Sequence, residues 1–162
     1  HCFNTLKNEY PDFGLENIQV VHHSQVIDEL ISSGKLKLDE GEMESVVFHD
    51  PCYLGRYNDE YGAPRNALDS VPGVQRTEIA ESGPSSRCCG AGGARMFMEE
   101  DVGTRMNQNR VKDLAKAEAR TIAVSCPFCM TMIQDGVTEL EMDEKLAVQD
   151  IAEVVAQRLS AS

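Results

Sequence analysis

The sequence holds no run of about 18 apolar residues, so no segment of it is long enough to cross a bilayer as a helix. The opening His-Cys-Phe-Asn has no basic stretch ahead of an apolar one, so no secretory leader is expected. Basic residues are scarce: 15 Lys and Arg stand against 27 Asp and Glu, a net charge of −12. Nucleic-acid binding needs clustered Lys and Arg to displace phosphate counterions, and this balance argues against it. Adhesion to an anionic membrane is disfavoured for the same reason. The acidity leaves two roles open, a soluble surface or a face that docks a basic partner. Low-complexity tracts and internal repeats are lacking too. The first residue is His rather than Met, so the chain reads as a piece of a longer polypeptide.

What is present suits one globular domain. The length is 162 residues, with 41% hydrophobic and 26% charged side chains. Short β-branched runs alternate with helical patterns. Strands are expected at 18–21, 46–48, 74–79, 121–124 and 146–148. Helices are expected at 24–32, capped by Ser24, then after Pro51, at 64–70, 103–119, 127–140 and 151–159. On the helix at 103–119, Met106, Val111, Leu114 and Ala115 mark the buried side. Residues 82–93 carry four glycines and a proline and must form a loop. Strands alternating with helices imply an α/β fold with a mostly parallel sheet of four or five strands, flanked by helices.

Six cysteines stand at 2, 52, 88, 89, 126 and 129. A chain of this length needs no disulfide scaffold, so the cluster points to metal or redox chemistry. Cys52 is followed by 35 residues, then the pair Cys88-Cys89; after 36 more comes Cys126-Pro127-Phe128-Cys129. Cys52 follows the strand at 46–48 through His49-Asp50-Pro51, where Asp50 is expected to cap a helix opened by Pro51. Cys126 follows the strand at 121–124 in the same way, with Ser125 or Cys126 as cap and Pro127 first in the helix. Both sulfurs are then placed at the carboxyl ends of parallel strands, where open α/β sheets bind ligands. A helix N-terminus lowers a thiol's pKa and favours thiolate, the form that binds metal. Gly90, Gly92 and Gly93 give the vicinal pair the backbone freedom to turn both sulfurs toward one site.

Three readings follow from these residues. Zinc takes four ligands in a closed site, fewer than the five cysteines after residue 50. Iron–sulfur clusters share thiolates among several irons. A third reading makes Cys126-Pro127-Phe128-Cys129 a dithiol redox pair like that of glutaredoxins, which leaves the other cysteines without a role.

The segments His49-Asp50-Pro51-Cys52, Cys88-Cys89-Gly90-Ala91-Gly92-Gly93 and Ser125-Cys126-Pro127-Phe128-Cys129 resemble the CCG domain, the cysteine-rich module of the heterodisulfide reductases. The resemblance covers about 46–135. The same module occurs in iron–sulfur proteins that oxidise glycolate, lactate and glycerol 3-phosphate, and in a membrane-bound family linked to electron-transfer flavoprotein. The stretch at 1–15 looks like the end of a preceding repeat, with Cys2 as its last cysteine. The resemblance to the flavoprotein-linked members is the strongest. It implies a non-cubane [4Fe–4S] cluster held by Cys52, Cys88, Cys89, Cys126 and Cys129, with zinc the alternative. It also implies an electron-transfer domain of a larger oxidoreductase, at work only with upstream domains of the same polypeptide. A flavoprotein would be the donor and quinone or a second cluster the acceptor. The chain is then a soluble piece on the cytoplasmic side of a membrane-associated protein.

Other side chains carry weaker signals. His22 and His23 are expected to end the first strand as structural histidines. His49 is expected to hydrogen-bond either to a cluster sulfur or to Asp50. Arg87 and Arg95 flank the cysteine loop and read first as surface ion-pair partners, second as charges that offset a cluster or bind an anionic substrate group; Met96 and Met98 read as core residues.

Overall fold

Four short strands form one sheet: β1 (Glu44–Phe48), β2 (Val74–Thr77), β3 (Thr121–Val124) and β4 (Ala147–Asp150). In this computed structural model residues 1–100 and 102–160 are described; the last two positions of the expected 1–162 domain lie outside them. The order is β2-β1-β3-β4, and every pairing is parallel. Parallel strands need crossover helices, and these cover both faces.

Seven α-helices are described: α1 (Cys2–Asn8), α2 (His23–Ser32), α3 (Gly55–Asn58), α4 (Gly62–Asp69), α5 (Met106–Leu114), α6 (Pro127–Glu139) and α7 (Ile151–Ala156). Alternation along the strands divides the core. Val46, Phe48 and Ala123 pack with Ala67 and Leu68 of α4 and with Ile151, Val154 and Val155 of α7. Val47, Ile122 and Val124 pack with Val111 and Leu114 of α5 and with Ile133 and Val137 of α6. Each fully buried side chain of this size contributes about 1.5–3 kcal/mol, so the two layers hold the sheet rigidly.

The strand order positions the site. The chain runs from β1 out to β2, then crosses back past β1 to β3 and on to β4. The connections therefore diverge between β1 and β3, and the crevice at the carboxyl ends of that pair is the topological switch point.

Several expected elements differ. Residues 18–21 form no strand; Ile18 and Val21 are exposed, and nothing pairs with them among the described residues. The third strand stops at Thr77, and the last is shifted to Ala147–Asp150. The helix expected at 103–119 shrinks to α5 plus a 3₁₀ turn at Ala115–Ala117. Gly103 at φ +75° and Glu118 at φ 53° both sit in the left-handed region, which no α-helix passes through. The cap of α2 is His22, not Ser24: its ring accepts from the Ser24 N–H at 3.3 Å, and Gln25 Oε1 accepts from the His22 N–H at 2.9 Å.

Candidate metal centre

The site is built on the ends of the two central strands. The N–H of His49 donates to the carbonyl of Ala123 at 2.9 Å, which carries the β1–β3 ladder one residue past β1. His49 and Asp50 are buried there. Asp50 does not cap a helix. Its carboxylate accepts from Arg65 at 2.7 and 3.0 Å and from the Gly83 N–H at 2.8 Å. It thus ties the start of the 82–93 loop to the end of β1. Cys52 follows in a turn ahead of α3.

On the neighbouring strand, Cys126 is the N-cap of α6, Pro127 opens the helix, and Cys129 lies buried in its first turn. Pro127 suits that position because its missing N–H is one the helix leaves unpaired anyway. Between the two strand ends, Gly90 takes φ +93° and folds the loop back, so that its N–H donates to the Cys88 sulfur at 3.3 Å.

Cys52, Cys88, Cys89, Cys126 and Cys129 all line one cleft, together with Tyr53 and Phe128. All five are free thiols. Hydrogen bonds from Cys52 and Cys89, helped by the Gly90 N–H, pull the Cys88 thiol down to about 2 against the effect of burial. The hydrogen bond from Cys129 pulls Cys126 down to about 6; burial opposes it, and the N–H groups of Cys129 and Phe128 assist. Cys89 is drawn down by Cys129, but its bond to Cys88 and its burial push it up to about 11. Cys129 is raised by sharing its S–H between Cys126 and Cys89 and by burial, and Cys52 by donating to Cys88 and by burial. Negative charge thus collects on Cys88 and Cys126, with thiols on either side that deprotonate when a cation arrives.

His49 is buried beside the cleft. One of its ring nitrogens and the sulfurs of Cys89 and Cys129 lie within 4.8 Å of one another. Burial, then the nearby charge of Arg110, hold its pKa down at about 3, so the ring is neutral. Nδ1 accepts from Arg110 Nε at 3.0 Å rather than bonding to Asp50. The set fits an iron–sulfur cluster. It offers five soft thiolate donors, more than a single zinc takes, with a backbone N–H aimed at sulfur and an apolar lining.

The remaining expected residues fall outside the cleft. Arg87 pairs with Asp113 at 3.1 Å and Arg95 with Glu100 at 3.0 Å. His23 lies 3.2 Å from Asp150, and burial followed by repulsion from His23 holds His22 down at about 4. Met96 packs against the core, whereas Met98 is exposed, contrary to expectation. Cys2 is exposed and borders a separate apolar cavity of about 190 Å³, which reaches Cys126 and Phe128.

Sequence reasoning missed Arg110, which is fully buried behind His49. A signal existed. Asn107, Arg110, Val111 and Leu114 share the i, i+3, i+4, i+7 face of α5, and all four are buried. Counting only apolar residues on that face hid the two polar ones.

A parallel α/β sheet with five cysteines gathered at its switch point defines a thiol-rich α/β domain. The profile of the CCG cysteine-rich domain matches residues 46–134, and the chain belongs to that family. It is similar to the probable iron–sulfur-binding oxidoreductase FadF of Bacillus subtilis (strain 168), 43% identical over 97% of this chain and 22% of the relative. It is also similar to the EtfAB:quinone oxidoreductase of Syntrophomonas wolfei, 40% identical over 96% of this chain and 22% of the relative. A component of the dihydromethanophenazine:CoB–CoM heterodisulfide reductase of Methanosarcina barkeri (strain Fusaro) is 36% identical over 99% of this chain and 39% of its own length. The chain therefore spans from 22% to 39% of the length of these curated relatives. Among the described residues no helix is long and apolar enough to cross a membrane.

Proposed function

We propose that this chain is the electron-transfer domain of a larger iron–sulfur oxidoreductase, with Cys52, Cys88, Cys89, Cys126 and Cys129 as ligands of its cluster. One observation carries the reading: five thiols from three separate segments share one cleft at the β1–β3 switch point. Similarity to iron–sulfur oxidoreductases supports iron–sulfur over zinc. When bound, such a cluster supplies one-electron oxidation and reduction. The chain's own residues hold and screen it. Cys88 and Cys126 offer thiolate first, the Gly90 N–H donates to sulfur, and the rings of Tyr53 and Phe128 line the cleft.

The finer reading is a non-cubane [4Fe–4S] cluster on all five sulfurs. Residues 1–15 close a preceding repeat, 46–135 form the core motif, and domains of the same polypeptide lie upstream. A flavoprotein donates electrons, and quinone or a second cluster accepts them; similarity to the EtfAB:quinone oxidoreductase supports this pair. The site works on the cytoplasmic side of a membrane-associated protein.

The test is anaerobic reconstitution of the full-length protein that carries this domain, with absorbance followed as reduced electron-transfer flavoprotein and then a short-chain quinone are added. Bleaching by the first and recovery with the second is expected. Absorbance that responds to dithionite but to neither partner overturns the donor and acceptor assignment. A Cys2→Ser variant is expected to load like the parent, whereas each of the five cleft cysteines changed to Ser loses at least half the iron.

A further inference from the structure

Arg110 heads the fully buried side chains in size, yet forms no ion pair within 4.0 Å among the described residues. Its Nη1 donates to the Glu81 carbonyl at 2.9 Å, and its Nε donates to His49 Nδ1 at 3.0 Å. A guanidinium N–H only donates, so Nδ1 must present its lone pair. The single proton of the neutral ring then sits on Nε2. That nitrogen is buried and has no partner among the described residues. With Nδ1 committed to Arg110, Nε2 is the nitrogen free to serve the Cys89 and Cys129 sulfurs, which lie within 4.8 Å of the ring nitrogen facing them. A buried N–H left unpaired costs about 1–3 kcal/mol; the two sulfurs, within 4.8 Å but not hydrogen-bonded to it in this structure, are acceptors that a small closing of the site brings into range.

The same geometry excludes His49 as a metal ligand. Coordination through Nε2 would need the lone pair there and the proton on Nδ1. Two donors, Nδ1–H and Arg110 Nε–H, would then face each other at 3.0 Å.

We propose that Arg110 locks His49 in the Nε2–H tautomer, and that His49 is a positioning residue which donates this hydrogen to the sulfurs of Cys89 and Cys129. This rests on the reading of those sulfurs as cluster ligands. A hydrogen bond to a ligand thiolate draws charge from sulfur and favours the reduced state. The buried guanidinium behind the ring adds a positive field of the same sense. Arg110 and His49 together therefore raise the reduction potential of the centre without touching iron.

Two measurements test this. The first is a long-range ¹H–¹⁵N correlation spectrum of the metal-free chain labelled with ¹⁵N-histidine, with His49 assigned by the signal lost in His49→Gln. An unprotonated Nδ1 beside a protonated Nε2 is expected; a protonated Nδ1 overturns the proposal. The second is a redox titration of the reconstituted chain. His49→Leu is expected to titrate at a more negative potential than the parent. His49→Gln, whose amide N–H reaches the same point, is expected to recover most of the shift. Equal potentials in all three, with equal iron content, overturn it. If the parent chain takes up no iron, the cluster reading fails, while the tautomer spectrum still decides the role of Arg110.

Discussion

Asp50 is the residue through which stability and site geometry meet. It is buried, and Arg65 neutralises it with two hydrogen bonds at 2.7 and 3.0 Å. Arg65→Ala strands that charge, and removing one partner of a buried pair costs about 3–5 kcal/mol. A fall of that order in the urea unfolding free energy is expected, and with it slower metal uptake, because the loop bearing Cys88 and Cys89 is tied to the same carboxylate through Gly83. His22 adds a pH dependence. The unfolded chain protonates this ring near 6.5, the folded one only near 4, because burial and His23 disfavour the charge and Nδ1 accepts the cap bond. Its contribution is therefore complete above pH 6.5 and declines as the pH falls toward 4. In His22→Asn, which keeps a capping acceptor, the urea midpoint of the metal-free chain is expected to fall less between pH 7 and 4.5, and an unchanged slope would count against this role. The cysteines were legible in the sequence because their spacing has no structural use in a chain that needs no disulfides. Arg110 was not, because a charged side chain is normally expected outside, and only its place on the buried face of α5 reveals it.

At the scale of elements, α5 carries the polar support, and α6 carries Cys129 with Cys126 as its cap, so the packing of the two helices bears on the site. Gly136 on α6 packs directly against α5. A Cβ there meets Val111 Cγ2 at 3.0 Å and the Asn107 carbonyl carbon and oxygen at 3.1 Å. Gly136→Val is expected to push the helices apart and lower stability by about 1–3 kcal/mol, read as a lower melting temperature. Gly90 is the matching constraint in the loop. At φ +93°, with Met106 Cβ 3.0 Å from an added Cβ, Gly90→Ala is both strained and crowded. It is expected to cost about 1–2 kcal/mol and to reduce iron loading more than melting temperature, because the same backbone N–H holds Cys88. The β1 and β3 runs and the Pro127 helix start were readable, since apolar runs and an N-terminal proline act locally. Residues 18–21 look equally strand-like, but a strand needs an edge to join. The sheet's free edges are β2 and β4, and neither takes this segment.

For the whole molecule, the order β2-β1-β3-β4 explains why segments 36 residues apart in the chain reach one point. Parallel strands bring their carboxyl ends to one side, and the reversal between β1 and β3 opens a crevice there for the glycine loop to close. The parallel sheet and its ligand edge were deducible from the alternation of strands and helices. The strand order was not, because no local pattern encodes which neighbour a strand chooses. The account stands or falls on what the cleft binds. The most direct measurement is iron, acid-labile sulfide and zinc content of the anaerobically purified chain, with its visible spectrum, beside Cys88→Ser. A brown protein with matching iron and sulfide, both lost in the variant, is expected of a cluster-binding cleft. A colourless protein with one tightly held zinc and no sulfide would contradict it.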